Sequence, residues 1–401
     1  MPRPILYIAG SFPARSETFV YREVRELRRR GWDVTTVSLN DPREPGLKEF
    51  EDLETGNLVL YGAGKSATAG AMLVEMLTHP IRSTGTFLTA IGDALSPGEP
   101  TKWSDRLKLP AQALAAIGLA RRVRFRSPAH VHAHFAHAPA TIAMYVAQQL
   151  GISFSFTGHA NDLFQRRALL SKKLRRVRFV SCISEWHRDF YISCAADPSK
   201  CHVIRCGVPV SEWVPREVDH NRKQIHLLTV CRLVEKKGVD TLLRALPGFE
   251  QDWKLTIAGE GRESDKLKAI ARDCGIESRC EFLGAVTNDR VRELLMQADV
   301  FVLPCRTDGN GDRDGIPVVL MEAMACGVPV ISGDLPAIRE LIEHGESGML
   351  VDGASPRDVT RALEELMRDK ALRQRIAAGG RKRVESEFSL EQNVTRLEKL
   401  L

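Results

Sequence analysis

Short apolar runs alternate with longer amphipathic stretches almost from one end of the chain to the other. In the first half the runs are PILYIAG, DVTTVSL, NLVLY, HVHAHF, SFSFTG, RFVSCIS and HVIRCGV; in the second they are HLLTVCRL, WKLTIAG, CEFLGAV, VFVLPC, PVISGD and GMLVD. Runs this short, apolar on both faces and separated by helical patterns, predict parallel strands with crossover helices. One such helix is predicted over Glu17–Arg30, with Ser16 as its cap, Gly31 as its stop and Phe19, Val24 and Leu27 as a partial apolar stripe. The alternation breaks at GVPVSEWVPREVDHNRKQ, residues 207–224, where two prolines and a charged run intervene. The expected organisation is therefore an α/β chain of two facing Rossmann-like, doubly wound domains, 1–210 and 211–385. An amphipathic helix at 386–401 follows, able to pack on either domain or cross back to the first. In such sheets ligands collect beyond the carboxyl ends of the strands, so a cleft between the domains is the expected site.

Composition narrows the class. With 401 residues, 43% hydrophobic and 27% charged, the chain has the balance of a soluble globular protein and a length suited to two domains. The net charge of +6 is unevenly placed: Lys and Arg against Asp and Glu number 11 to 13 in residues 1–100, 17 to 5 in 101–210 and 29 to 33 in 211–401. The basic middle holds RRVRFR (121–126) and RRALLSKKLRRVR (166–178). It suits a phosphate-bearing substrate or peripheral contact with an anionic membrane surface. No aromatic interleaving or binding motif accompanies it, so nucleic acid is not an expected partner. Nine scattered cysteines without a C-x-x-C pair fit a reducing cytoplasm, and the N-terminal apolar run is too short for a signal peptide.

The most informative segment is GDRDGIPVVLMEAMACGVPVISGD, residues 311–334. A Gly- and Asp-rich loop delivers Gly315 and Pro317 to a helix start, and Gly327 ends the helix before the next strand. The free N–H groups at that start suit a diphosphate. Glu322 leans back towards the same end, so Asp314 and Glu322 flank one anion site, able to accept from sugar hydroxyls.

Asp314-x7-Glu322 within DGIPVVLMEAMACGVPVI closely resembles the acid-x7-acid motif of retaining GT-B glycosyltransferases of family 4. CRLVEKKGVDTLLRAL (231–246), LTIAGEGRESDKL (255–267) and LPAIRELIEHGESGMLVDG (335–353) are similar to further motifs of that family, in the same order. In the first half SFPARSETFVYREVRELRRRGWDVTTVSL, HVHAHFAHAPATIAMYVAQQLG and SFSFTGHANDLF resemble the branch that builds extracellular polysaccharides of the colanic acid and amylovoran type. The resemblance implies that Arg232 and Lys237 hold the donor diphosphate together with the backbone of Gly315, Ile316, Pro317 and Val318. It places Gly259, Glu260 and Gly261 beside the nucleotide, Glu322 on the ribose, and Asp314 and His159 on the transferred sugar. Asp314 stands where the family usually has Glu, and Cys231 precedes Arg232 where Gly is common. Gly10, Ser11, Glu17, His134 and Asp162 are the acceptor-side candidates. The implied reaction moves a sugar from a nucleoside diphosphate donor, expected to be a UDP-sugar, to a saccharide acceptor, expected to be polyprenyl-diphosphate-linked, without cofactor or metal. A GT-B nucleotide-sugar epimerase, a non-catalytic nucleotide-sugar-binding protein and a zinc hydrolase are the alternatives.

Two stretches invite other readings. YGAGKSA (61–67) lacks the first glycine of a phosphate-binding P-loop, because Val59 stands there. HVHAHFAHA carries His130, His132, His134 and His137, but same-face residues of a strand lie ~7 Å apart, so three cannot share one zinc without a bend.

Overall fold

The computed structural model describes residues 3–14, 17–42, 48–96, 103–159, 168–194, 196–215 and 224–401. They divide into two compact units: residues 1–204 with 394–401, and residues 205–393.

In the first unit seven parallel strands run in the order β3-β2-β1-β4-β5-β6-β7. They are β1 (Arg3–Ala9), β2 (Trp32–Ser38), β3 (Leu58–Val59), β4 (His130–His134), β5 (Ser153–Gly158), β6 (Phe179–Cys182) and β7 (Cys201–Val203). The helices are α1 (Thr18–Arg29), α2 (Glu51–Glu54), α3 (Lys65–Thr78), α4 (Pro80–Leu95), α5 (Trp103–Arg106), α6 (Leu109–Val123), α7 (Ala138–Leu150), α8 (Leu170–Arg176) and α9 (Glu185–Ser193). The strands are buried because helices cover both faces, which is why they read as apolar runs and not as alternating ones.

The second unit has six parallel strands in the order β10-β9-β8-β11-β12-β13. They are β8 (Ile225–Val230), β9 (Trp253–Ala258), β10 (Cys280–Gly284), β11 (Val300–Leu303), β12 (Val330–Gly333) and β13 (Met349–Val351). Its helices are α10 (Val239–Ala245), α11 (Ser264–Asp273), α12 (Asn288–Gln297), α13 (Val318–Ala325), α14 (Pro356–Arg368) and α15 (Lys370–Glu387), and α16 (Leu390–Glu398) begins in this unit and ends in the first. Every expected strand is present, and each sheet is doubly wound, with the order reversing between β1 and β4 and between β8 and β11.

Three boundaries differ from those expected. The units part at 204/205, not at 210/211, because Val208 and Trp213 are fully buried in the core of the second unit and Val208 is hydrogen-bonded through its backbone to Phe388 and Leu390. The C-terminal helix starts at Leu390 and only its end, from Val394, belongs to the first unit. There Glu398 accepts from Trp32 Nε1 at 2.7 Å and pairs with Arg30, while Leu397 packs on Phe179 and Ile204. Helix α1 starts at Thr18; Glu17 is its N-cap, without a side-chain capping bond, and Ser16 lies outside the described residues.

Candidate functional site

In the second unit the sheet reverses between β8 and β11, and the loops that leave these two strands carry the predicted donor residues. The first loop, residues 231–238, is held to the next by backbone bonds from Cys231 N to Ala258 O (3.0 Å) and from Leu233 N to Glu260 O (2.9 Å). That zip demands glycine at two points. A Cβ on Gly259, whose φ is +128°, would lie 1.9 Å from the Cys231 carbonyl oxygen, and one on Gly261 would lie 2.3 Å from that of Leu233. The structure therefore uses Gly259 and Gly261 to seat the loop that bears Arg232 and Lys237, with Glu260 supplying the backbone acceptor.

The second loop runs from Pro304 to Pro317, the N-cap of α13. Asp308 Oδ1 accepts from Asn310 N and Asp312 N (both 2.9 Å) and folds the loop on itself; Arg306 ties it back to Asp240 (3.0 Å) and Thr241 (2.6 Å). Folded so, it aims two acids at two lysines. Asp314 Oδ2 lies 2.7 Å from Lys237 Nζ, Asp314 Oδ1 lies 3.3 Å from Lys236 Nζ, and Asp312 lies 3.0 Å from Lys236. The Cys305 thiol donates to Asp314 at 3.3 Å. Burial works against charge on Lys237, but Asp314 outweighs it and raises the ammonium pKa. Burial likewise opposes the Asp314 carboxylate, and Lys237 and Lys236 hold its pKa below the usual range. The neighbouring thiols stay protonated: burial pushes Cys231 up to about 12, and burial and Asp314 raise Cys305. The cluster thus holds fixed charges and offers no thiolate nucleophile.

Arg232 is exposed on the same loop as this cluster and makes no ion pair among the described residues. Helix α13 begins after Gly315, Ile316 and Pro317, and Val318 is its first residue. Leu320 N already bonds the Pro317 carbonyl (3.1 Å), and the N–H groups that precede it at the helix start lack intrahelical acceptors by geometry, which suits an anion. Glu322 is 5% exposed in the second turn, and Gly327, with φ +67°, ends the helix as expected. Lys236, Asp312, Cys305 and Arg306 were not among the sequence candidates. The adjacent KK at 236–237 and the acid-rich TDGNGDRDG that follows Arg306 are the signals that could have found them.

In the first unit the histidines form a hydrogen-bonded ladder. The register sets His130, His132 and His134 on β4 beside Ser153, Ser155 and Thr157 on β5, with Tyr7 of β1 beside His132. His130 bonds Ser153 and Ser155 (both 2.7 Å), and His132 bonds Ser155 (2.7 Å) and Thr157 (3.0 Å). His134 Nδ1 meets His159 Nε2 at 3.2 Å, and His134 Nε2 meets Glu23 Oε1 at 3.0 Å. Tyr7 donates to the same Glu23 oxygen at 2.7 Å. Burial drives His130 down to about 3 and holds His132 and His159 far below the ordinary histidine value, so all three are neutral at pH 7. Glu23, His132 and His134 present donor atoms within 4.8 Å of one another. Both ring nitrogens of His132 and of His134 are occupied by protein partners, which is the arrangement of a structural ladder.

The ladder has a chemical consequence. A carboxylate at Glu23 only accepts, so the His134 ring donates to it from Nε2, and its Nδ1 lies against His159 Nε2. Glu23 therefore orients His134, and through that ring positions His159. Glu23→Gln can present an N–H to His134 and release that constraint, and is expected to lower turnover by about tenfold with little change in donor KM. Steady-state kinetics with thermal melting as a control checks this. Of the remaining acceptor-side candidates, Ser11 is buried and donates to the Asp41 carbonyl (3.2 Å), and Gly10 accepts through its backbone from Asn40 (3.1 Å). Asp162 lies outside the described residues.

Comparison with known proteins agrees with both halves. The model for glycosyl transferases group 1 matches residues 212–383, and that for glycosyltransferase family 4 matches residues 86–212. The amylovoran biosynthesis glycosyltransferase AmsK of Erwinia amylovora is 32% identical over 96% of each chain. A GDP-mannose-dependent alpha-(1-6)-phosphatidylinositol monomannoside mannosyltransferase of Mycobacterium tuberculosis is 34% identical over 52% of this chain, and the match spans 57% of that relative. The crystal structure of Anabaena Alr3699/HepE in complex with UDP aligns with a TM-score of 0.73 at 14% identity, over 99% of this chain and 98% of that one. Two doubly wound sheets, an acid-x7-acid segment at the second reversal and a near full-length relative of the amylovoran type place the chain in the group 1, family 4 glycosyltransferases of GT-B fold.

Proposed function

We propose that the chain transfers a glycosyl residue from a nucleoside diphosphate sugar to a saccharide acceptor, with retention of anomeric configuration. The observation that carries this reading is the pair of ammonium groups, buried Lys236 and largely buried Lys237, on the loop after β8, with the loop after β11 leading into the start of α13. A diphosphate leaving group gains negative charge as the glycosidic bond breaks, and preplaced cations with aligned N–H groups stabilise that charge more than the ground state. Arg232 adds a forked donor, and Glu322 accepts from ribose hydroxyls. No metal is required for neutralisation in this scheme.

Asp314 is not the base. Two lysines keep its carboxylate weakly basic, so its roles are to orient Lys237 and to accept from a sugar hydroxyl. Retention then follows from front-face attack: the acceptor hydroxyl approaches on the leaving-group side, the departing phosphate oxygen takes its proton, and the new bond forms as the old one breaks. His159, neutral and held in place by His134, hydrogen-bonds a sugar hydroxyl. The acceptor is a growing lipid-linked saccharide of exopolysaccharide synthesis at the cytoplasmic face, a reading that the amylovoran relative supports.

The test is a panel of nucleotide sugars with product analysis by mass spectrometry and anomeric NMR. It includes UDP-sugars, the expected donors, and GDP-mannose, named for the mycobacterial relative. Chelation is expected to leave the rate unchanged. Glu322→Gln is expected to lower kcat/KM by about 10- to 100-fold, the cost of one charged hydrogen-bond acceptor. Full activity of that variant would sink the proposed donor site.

A further inference from the structure

Helices α3 and α4 are built inside out for a protein surrounded by water. Helix α3 buries Thr68 and Glu75, and α4 buries Ser83, Thr86, Ala90 and Asp93, a single face at helical spacing that is almost wholly polar. Most of these groups find partners inside the protein. Glu75 pairs with Arg124 and accepts from Gln149 (3.0 Å), which also reaches Ser83 (3.1 Å) and Thr86 (3.0 Å). Asp93 is held by Arg176, Lys172 and Tyr145 at 2.7–3.1 Å. The outward face carries the apolar residues: Leu73, Val74 and Leu77 on α3, and Ile81, Leu88 and Leu95 on α4, at seven-residue intervals. Leu77 is 83% exposed and Ile81 88%.

Chemistry around this face identifies its occupant. Trp103, Leu107 and Phe125 are also exposed, and Arg106 anchors α5 to the end of α4 through the Ser96 carbonyl (2.8 Å). Between residues 61 and 128 there are nine Lys and Arg against four Asp and Glu; two of those acids are the buried Glu75 and Asp93, and Arg124 is the cation paired with Glu75. An apolar face with exposed aromatic rings, carried by a segment of net positive charge, matches the acyl boundary and headgroups of an anionic bilayer. A second copy would bring two segments of the same net positive charge together, which argues against self-association. Among the described residues no helix is long and apolar enough to cross a membrane, so the pair would lie in the interface plane.

We propose that α3 and α4 form a monotopic membrane-docking face that inserts into the headgroup–acyl boundary of an anionic bilayer. This deepens the reading of a lipid-linked acceptor, and it moves the contact from the basic segment 101–210 to the apolar helices 65–95 beside it.

The test is flotation of the full chain with vesicles of phosphatidylcholine and phosphatidylglycerol (about 3:1), with no nucleotide sugar present. Leu77→Glu/Ile81→Glu is expected to weaken partitioning at least tenfold while melting and molar mass in solution stay unchanged, since both side chains face solvent. As a second measurement on the unaltered fold, brominated acyl chains should quench fluorescence in the wild type and quench less in Trp103→Phe. Wild-type protein that does not float, or a double variant that floats as well as the wild type, would overturn the proposal. So would light scattering that shows a wild-type dimer made monomeric by the variant, since the face would then be a self-interface. Flotation without sugar transfer from any donor would leave the docking face standing and refute the transferase reading; transfer without flotation would do the reverse.

Discussion

Replacing Lys237 with Ala is expected to lower kcat by about 10²- to 10³-fold, the largest loss of activity that any single substitution in the donor site should produce. The argument starts from position. Lys237 lies in a loop whose path is set by the carbonyls of Cys231 and Leu233 against Gly259 and Gly261, so its ammonium group arrives with little freedom left to lose. Asp314 at 2.7 Å keeps that group charged despite burial. A fixed charge in a partly dry site stabilises a developing phosphate charge far better than a mobile one in water. The loss belongs in kcat more than in KM, because the charge on the leaving group grows towards the transition state. Folding should survive, since Asp314 retains Lys236 at 3.3 Å and the Cys305 thiol. Lys237→Arg should recover only part of the rate, because a planar fork cannot take the place of a compact ammonium beside Asp314. Single-turnover kinetics with saturating donor measures the effect, and wild-type turnover in Lys237→Ala would show that the diphosphate binds elsewhere.

The strands were legible because parallel strands covered on both faces must be apolar throughout, and VFVL or ILYIA leaves no other reading between helices. The acid-x7-acid segment was legible for the same kind of reason: a glycine and proline before an apolar helix, and a lone acid within it, have few structural uses. What remained hidden depends on partners distant in sequence. Lys236 reads as one more charge in a turn until the loop after β11 brings Asp312 and Asp314 to it. Glu23 looks like an ordinary surface acid of α1 until Tyr7 and His134 close on it. The ~7 Å spacing along a strand argued against three histidines at one centre, but it said nothing of Glu23, beside which His132 and His134 come together, or of the serines and threonine on β5 that bond their rings. Helices α3 and α4 were hidden most deeply. Their apolar and polar residues have helical spacing, and a sequence pattern shows which residues share a face without showing which face turns inward.

That inversion carries the second large effect, on stability. Arg124→Leu is expected to cost about 3 kcal/mol at pH 7, because it removes the cation paired with a fully buried carboxylate. In the wild type, burial raises the Glu75 pKa, but Arg124 and Gln149 outweigh it and the net shift is downward. A carboxyl group whose folded pKa is depressed adds stability above its unfolded pKa, near 4.3, and that contribution fades as pH falls through the folded value. In Arg124→Leu the larger part of the lowering is lost, Gln149 and His79 remain, and Glu75 takes up a proton more readily on its buried side. The deficit relative to wild type should therefore be largest at neutral pH and shrink towards pH 4. Urea unfolding at pH 7 and at pH 4.5 measures it. A deficit that is independent of pH would mean that Arg124 contributes through packing on α3 and not through charge. Glu75→Gln in the Arg124→Leu background should restore part of the loss at pH 7, since a neutral amide can keep a hydrogen bond with Gln149 without a buried charge.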